Sequence, residues 1–245
     1  MPEFFHPTPL RSHGLKQLKE ALPKLGLEYA RNRNLDRGKG CHNSVTRLSP
    51  WLRHRLLLEE EVISSVLSAH TFSASEKFIE EVFWRTYWKG WLESRPSVWE
   101  NYIEERDRNW REWQGDKTLA KALAGETGIE CFDYWIKELK ETHYLHNHSR
   151  MWFASIWIFT LGLPWTLGAD IFMRFLLDGD PASNTLSWRW VAGLQTHGKC
   201  YIARPDNIAK WTDNRFSSVS DLVVDVRPPE SFPSPEPVSL KPPGT

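Results

Sequence analysis

The sequence has little cysteine, no long apolar run and no net charge. Its three cysteines lie far apart and form no CxxC pair: Cys41, Cys131 and Cys200. This excludes a disulfide framework and a cysteine-based zinc ribbon, and it is typical of a reducing compartment. The longest apolar run, 151–165, is interrupted by Ser155 and Thr160 and is shorter than the roughly 20 residues of a bilayer-spanning helix. We therefore expect no membrane partner.

Charge is balanced overall but uneven along the chain. The 31 Lys and Arg residues equal the 31 Asp and Glu residues, so the whole chain is not a polycation. Positions 1–55 hold 11 basic residues against 4 acidic ones, which could meet phosphates but is more often a solvated face. The first residues lack the positive-then-apolar pattern of a secretory signal, so we expect a cytoplasmic protein.

Helical periodicity dominates, and only 223–226 alternates weakly as a strand would. The expected fold is all-α, with helices over 15–33 (broken at Pro23), 49–58, 62–67, 76–92, 130–142, 147–160, 169–177 and 184–194. We expect a lead-in over 1–14, one helical domain over 15–227 and a flexible tail over 228–245, where 7 of 18 residues are proline.

Three hydroxyl residues stand where helices are expected to start. Ser49 precedes Pro50, which is typical of an N-cap followed by the first helical position. Ser73 with Glu76, and Thr127 with Glu130, have the spacing of capping boxes. The segment 44–50 has a second interpretation, because free N–H groups at a helix start can also hold a phosphate.

Tryptophan is unusually abundant, with 14 residues in 245. Within helix 76–92, Glu81, Trp84, Arg85 and Trp88 share one face. This face is poorly suited to packing in the hydrophobic core, because burying its charges is costly unless they are paired. The alternative is a Glu81–Arg85 pair on a wet surface, which would leave the tryptophans exposed.

Histidines at 143, 146 and 148 suggest a metal site, but this spacing does not keep three imidazoles on one helix face. No carboxylate lies at HExxH spacing either, so we predict no metal. Asp178 and Asp180 flank a glycine without the rest of a calcium loop, and they could accept hydrogen bonds from sugar hydroxyls or a guanidinium. Asn184 and Trp188 lie one turn apart and should face the same way.

Six short motifs together resemble the FAD-binding helical domain of the photolyase/cryptochrome superfamily. They follow that family's order over about 29–195: TRLSPWL (46–52), FWRTYW (83–88), TGIECFD (127–133), HNHSRM (146–151), DGDPASN (178–184) and WRW (188–190). The resemblance implies an all-α FAD-binding domain.

Carried over by position, the resemblance implies which residues hold FAD. The phosphates and neighbouring groups would be held by Tyr29, Thr46, Leu48 and Ser49. Glu81 and Arg85 would lie beside the cofactor, and Asn147 and Arg150 would lie along the bent flavin. Asp178 and Asp180 would contact the isoalloxazine edge and the ribitol, and Asn184 would face flavin N5. Electrons would reach photoexcited flavin through Trp188, Trp165 and either Trp110 or Trp113. Each of these tryptophans could instead serve core packing alone.

The resemblance also implies a substrate pocket for a flipped pyrimidine pair in damaged single- or double-stranded DNA. Dimer photolyases form it from an acid, two tryptophans, an asparagine and a methionine, which match Glu81, Trp84, Trp190, Asn147 and Met151. Reduced flavin would donate an electron, the cyclobutane ring would split, and the electron would return.

Several features depart from the family pattern. The N-terminal α/β antenna domain is absent from this sequence, so we expect no antenna chromophore. His148 stands where dimer photolyases usually have arginine, Val45 replaces a hydroxyl residue, and the chain after Trp190 differs from the usual ending.

These departures support a second hypothesis, a cryptochrome-like photoreceptor or electron-transfer flavoprotein without repair activity. The balanced charge and the missing antenna favour it, whereas the nearly complete substrate pocket favours repair. A protein partner could supply the antenna or receive a signal through the Pro-rich tail.

Overall fold

The computed structural model describes residues 8–229, 232 and 234–239. Over these residues the chain is all-α, as expected, and the weak alternation at 223–226 forms no strand. The helices of this part of the chain are α1 Arg11–Ala21, α2 Leu27–Asn32, α3 Ser49–Arg53, α4 Glu59–Ala69, α5 Phe72–Glu93, α6 Pro96–Glu112, α7 Lys117–Ala124, α8 Glu130–Thr142, α9 Asn147–Ser155, α10 Trp165–Phe175, α11 Pro181–Val191 and α12 Pro205–Trp211. None of these helices is long and apolar enough to cross a membrane.

Helical turns of other types adjoin two of the expected helices. A 3-10 turn at Leu22–Lys24 separates α1 from α2 and accounts for the break at Pro23. The helix expected over 147–160 forms as α9 continued by a π-helical segment, Ile156–Thr160. The first helix begins at Arg11, inside the expected lead-in, because its buried Gly14 packs on the Trp51 ring.

The expected helix over 49–58 is shorter than the pattern indicates. It ends at Arg53, and Arg55 has a left-handed backbone with φ of 58°. The three glutamates after it form the first turn of α4 instead of separating two helices. Glu61 there accepts a hydrogen bond of 2.8 Å from the Leu58 N–H. Its negative charge also interacts favourably with the positive N-terminal end of the helix dipole.

The capping-box predictions at Ser73 and Thr127 are wrong, although the second helix has the expected bounds. Thr71 caps α5 by accepting a hydrogen bond from the Ala74 N–H, so this helix starts four residues before the predicted position. The Thr127 hydroxyl donates instead to Asp133 over 2.7 Å. The Thr127 side chain thus bonds to a different local partner from the one that a capping box requires.

Three helices were not predicted: α6, α7 and α12. They are strongly polar or short, so apolar periodicity does not reveal them. The ends of α7 are fixed instead by local chemistry, since Asp116 accepts from the Leu119 N–H over 2.8 Å and Gly125 adopts φ of 70°. The helices expected at 169–177 and 184–194 start earlier, at Trp165 and Pro181.

Two large apolar clusters form the core. The N-terminal cluster joins α1 to α4 with the first half of α5, and the other joins α6 to α12 around buried Trp135, Trp152, Trp157 and Trp188. The long α5 contacts α2, α4, α6 and α11, so it bridges both clusters. Its second half therefore faces the junction at which a cleft can form.

Part of the expected tail lies outside the described residues, namely 230, 231, 233 and 240–245. The described remainder forms no helix or strand but contacts the helical body. Phe232 stacks on His197 with ring centroids 4.2 Å apart, and the Val238 N–H donates to the Ser94 carbonyl over 2.7 Å.

Substitution of two helical glycines tests the packing of α10 on α11. A methyl group at Gly168 would overlap the buried ring of Trp188, whereas Gly90 has open space around its Cβ position. We expect Gly168→Ala to lower the free energy of unfolding by about 1–3 kcal/mol through overpacking. Gly90→Ala, the control, should raise it by about 0.5–1 kcal/mol. Urea denaturation measures both, and equal effects would contradict the close α10–α11 packing.

Candidate functional site

A cavity of about 780 Å³ lies at the junction of the two core clusters. Its walls come from α5, α9, α10, α11 and the loop between the last two. Ten of the residues predicted for the site line it: Glu81, Trp84, Asn147, Arg150, Met151, Asp178, Asp180, Asn184, Trp188 and Trp190. The fold therefore brings together residues from segments up to about 100 positions apart.

Asp178 forms a buried ion pair in the cavity wall. Its Oδ2 accepts a hydrogen bond from Arg150 Nη2 over 2.9 Å, while Oδ1 has no hydrogen-bond partner among the described residues. Burial favours the neutral acid, but Arg150 and the nearby Ser49 hydroxyl more than offset it, so the pKa of Asp178 lies below its ordinary value. The cavity wall thus contains a buried, ionised carboxylate that is held by a guanidinium group.

Asp180 has a different role, because most of its acceptor capacity is already used. Its Oδ1 caps α11 by accepting from the Ala182 and Ser183 N–H groups over 3.1 and 3.0 Å. Its Oδ2 lies 3.3 Å from Arg85 Nη2, with Arg53 Nε at 3.7 Å. Guanidinium groups, one of the two kinds of partner expected, thus contact both aspartates, and sugar hydroxyls as partners stay a prediction.

The helix after Asp180 carries two further cavity residues. The Asn184 amide donates to the Ala169 carbonyl over 2.8 Å, which leaves its side-chain oxygen for a ligand. Trp188 is 2% exposed and packs edge-on against Phe172, with ring centroids 5.1 Å apart. Its indole N–H has no acceptor within the described part of the chain.

A buried polar cluster fixes the start of α9, which carries Asn147, Arg150 and Met151 into the cavity. His146 caps the helix through Nδ1, which accepts from the His148 N–H over 3.2 Å. The Ser149 hydroxyl donates to Asp36 Oδ2 over 2.6 Å. This support lies outside the predicted site.

Asp36 is in turn held by two donors, Arg215 Nη2 at 3.0 Å and the Gly38 N–H at 2.8 Å. His42 lies between two acids, with Nε2 at 2.7 Å from Glu138 Oε1 and Nδ1 at 3.6 Å from Asp36 Oδ1. No group of three His, Cys, Asp or Glu residues suitable for a metal occurs among the described residues.

The Glu81–Arg85 pair considered as an alternative does not form. Glu81 pairs with Arg33, and Arg85 lies 3.2 Å from Glu59 and 3.3 Å from Asp180. The reason is tertiary packing, which brings partners distant in sequence to each of the two side chains. Trp84 is 50% exposed, as that alternative expected, but Glu81, Trp84 and Trp88 all line the cavity, so this helix face is a cavity wall.

Four residues predicted to hold phosphates do not line the cavity: Tyr29, Thr46, Leu48 and Ser49. Leu48 is buried in the N-terminal core and is the N-cap residue of α3, so the expected capping by Ser49 is wrong. The Ser49 hydroxyl lies beside Asp178 instead. Tyr29 packs edge-on against Phe78, with ring centroids 5.1 Å apart. Their roles toward a ligand stay predictions.

Of the four tryptophans of the predicted electron path, Trp165 and Trp188 belong to the larger core cluster, and Trp110 and Trp113 pack against it. Trp188 contacts Phe153, Trp157 and Phe172, whereas Trp165 packs against Tyr102 with centroids 5.5 Å apart. The Trp110 indole N–H donates to Asp170 over 2.8 Å, and Trp113 is the C-cap of α6. Packing roles are thus evident, and the electron path stays a prediction.

Sequence reasoning missed several cavity residues, above all Arg33, Tyr87, Trp91 and Gln195. The positions of Tyr87 and Trp91 could have been found by extending the helical spacing from Trp84. Arg33 gave no local signal, because it lies in a loop 48 positions before its partner Glu81.

The comparisons with known proteins agree with this geometry. A model of the FAD binding domain of DNA photolyase matches residues 78–227. The chain belongs to the photolyase/cryptochrome family. The deoxyribodipyrimidine photo-lyase of Alkalihalophilus pseudofirmus is 31% identical over 193 residues, which cover 78% of this chain and 39% of that protein. The Streptomyces griseus enzyme of the same name is 31% identical, with coverage of 69% and 39%.

Solved structures of photolyases and cryptochromes share the fold. A Synechocystis cryptochrome superposes with a TM-score of 0.72 at 23% identity, covering 87% of this chain and 46% of its own. A class III photolyase from Agrobacterium tumefaciens gives a TM-score of 0.69 at 24% identity, with coverage of 84% and 43%. The chain spans about two fifths of the length of the curated photolyases it matches, and the match is to their helical domain.

The cavity residues fit FAD. The cavity volume lies within the usual range of roughly 300–1,000 Å³ for ligand sites. Two unpaired oxygens, Asp178 Oδ1 and the Asn184 amide oxygen, suit N–H donors of a ring system, and Arg150 supplies positive charge beside them. Trp188 closes one wall with an apolar aromatic surface.

The buried His146 that caps α9 should make the folding stability of the protein sensitive to acid. Burial is the main cause that lowers the pKa of His146 to about 4, against roughly 6.5 in an unfolded chain. Between these values the unfolded chain binds a proton that the folded protein does not, so stability falls as pH drops from 6.5 to 4. We expect a loss of up to about 3 kcal/mol from this group.

His146→Asn keeps a capping oxygen but does not titrate. Urea unfolding of both proteins at several pH values measures the difference. The variant should lose less stability over this interval, and parallel pH profiles would contradict the role of His146.

Proposed function

We propose that this protein is a light-driven repair enzyme that splits cyclobutane pyrimidine dimers in DNA with FAD as its cofactor. The observation that supports the proposal is convergence: the five side chains expected to form a dimer pocket line the same cavity as the residues expected beside the flavin. They are Glu81, Trp84, Asn147, Met151 and Trp190. The names of the matched relatives support the same activity.

Each of these side chains offers a suitable contact to an extruded pyrimidine pair. The Glu81 carboxylate accepts hydrogen bonds from ring N–H groups, and Arg33 holds it in place. Trp84 and Trp190 present aromatic faces, the second supported by stacking on Tyr201 with centroids 5.5 Å apart. Asn147 is exposed at the start of α9, where it can reach a base.

Bound FAD would supply light absorption and the one-electron transfer that opens the cyclobutane ring. The protein's own part is to extrude the dimer, orient it and exclude water from it. Asp178, Arg150 and Asn184 would hold the cofactor on one side of the cavity. Glu81 and Trp84 would hold the dimer at its exposed mouth.

Repair under blue light tests the proposal. Wild-type protein with reduced FAD should remove dimers from DNA in light and not in darkness. Glu81→Gln should lower the repair rate roughly ten- to hundredfold, which corresponds to one hydrogen bond to a charged group, while FAD affinity changes little. Glu80→Gln, whose parent residue pairs with Lys77 on the surface, is the control. Repair unaffected by Glu81→Gln would contradict the assignment.

A cryptochrome-like signalling protein is the second candidate function. Burial lowers the pKa of His148, so the position usually held by arginine carries no permanent charge near neutral pH. Phe232 of the Pro-rich tail stacks on His197, so a partner that binds the tail would respond to changes near the cavity. Photoreducible FAD without any dimer repair would favour this function.

A further inference from the structure

A row of aromatic side chains continues along α5 beyond the residues of the proposed dimer pocket. Trp84, Tyr87, Trp88 and Trp91 are spaced i, i+3, i+4 and i+7, so they form one helix face, and all four line the cavity. We refer to Trp84, Tyr87, Trp88 and Trp91 as the α5 stripe. Trp84 is 50% exposed and Tyr87 is 53% exposed, an unusual state for large rings.

The stripe is preorganised by contacts within it. Trp84 stacks on Trp88 with centroids 5.5 Å apart and an interplanar angle of 29°. Tyr87 lies 5.2 Å from Trp88. Trp88 and Trp91 are anchored on their inner sides by the small apolar cluster around Leu92. Trp84 and Tyr87 therefore form the exposed part of the stripe, and both are supported by contacts with Trp88.

Positive charge lies at the far end of the stripe. The Arg95 guanidinium sits 4.6 Å from the centroid of the Trp91 ring. Its hydrogen bond goes to the Ser94 hydroxyl, and no carboxylate pairs with it among the described residues. A cation beside stacked rings complements a ligand that carries both flat bases and phosphates.

We infer that the α5 stripe binds unpaired bases, so that this protein binds single-stranded DNA in preference to duplex. Aromatic faces stack on bases only where the bases are free, whereas duplex binding depends mainly on phosphate neutralisation. This chain has 31 basic and 31 acidic residues, and such a balanced charge gives little support for binding that depends on phosphate neutralisation. The bases that flank a lesion would stack on the exposed Tyr87, with Arg95 at a backbone phosphate.

This inference rests on the proposed function for the choice of DNA as the ligand. Its test uses undamaged DNA in the dark, so failure of repair and failure of stacking are distinguishable. Fluorescence anisotropy would compare a labelled oligo(dT) strand of 16 nucleotides with its duplex on oligo(dA). We expect the single strand to bind at least roughly tenfold more tightly.

Substitutions at Tyr87 separate stacking from mere apolar contact. Tyr87→Phe keeps the ring and should retain single-strand affinity, whereas Tyr87→Leu keeps apolar bulk and should lose roughly tenfold. Phe83→Ala is the matched control, because Phe83 is 57% exposed on the same helix but does not line the cavity. Its affinity should equal that of the wild type.

The salt dependence provides a second measurement. Arg95→Gln should reduce the slope of log affinity against log salt concentration by about one for the single strand. Quenching of tryptophan fluorescence by oligo(dT) should accompany binding in the wild type. Equal or tighter duplex binding, no binding to either DNA, or equal losses in Tyr87→Leu and Phe83→Ala would overturn the inference.

Discussion

The buried carboxylate of Asp180 is the constraint on which the rest of the site depends. Transfer of a charge from water into a protein interior is costly, and here the cost is offset by two backbone N–H groups and three cations. Those partners come from α3, α5 and the first turn of α11. The same interaction therefore caps α11 and joins it to the N-terminal helices, and this defines the cavity between them.

A second polar centre supports the opposite wall. Asp36 receives hydrogen bonds from Ser149 on α9 and from Arg215 near the end of the helical body. The loop that contains Asp36 also carries Arg33, the partner of Glu81. The irregular segment between α2 and α3 thus positions both α9 and the Glu81 side chain of α5. Buried polar groups of this kind need every partner in place, which couples the loop to the geometry of the cavity.

The sequence predicted those features of the structure that depend on helical periodicity or on the order of the motifs. The all-α class, α8 and the common face of Glu81, Trp84 and Trp88 followed from spacing alone. The alternative of a Glu81–Arg85 pair fails, because local spacing does not reveal a carboxylate that lies 95 positions later in the chain. The polar α6 and the short α7 and α12 were missed because packing and caps, rather than apolar repeats, stabilise them. The buried cluster around Asp36 left no local signal at all.

The most direct test of the account is an equilibrium titration of purified protein with FAD, followed by flavin fluorescence. We expect one FAD per chain, with affinity lowered roughly tenfold in Asp178→Asn, which corresponds to the loss of one charge-assisted hydrogen bond. Asp107→Asn, which changes a half-exposed carboxylate paired with Arg106, is the control and should bind as the wild type does. No FAD binding, or binding that Asp178→Asn leaves unchanged, would contradict the account.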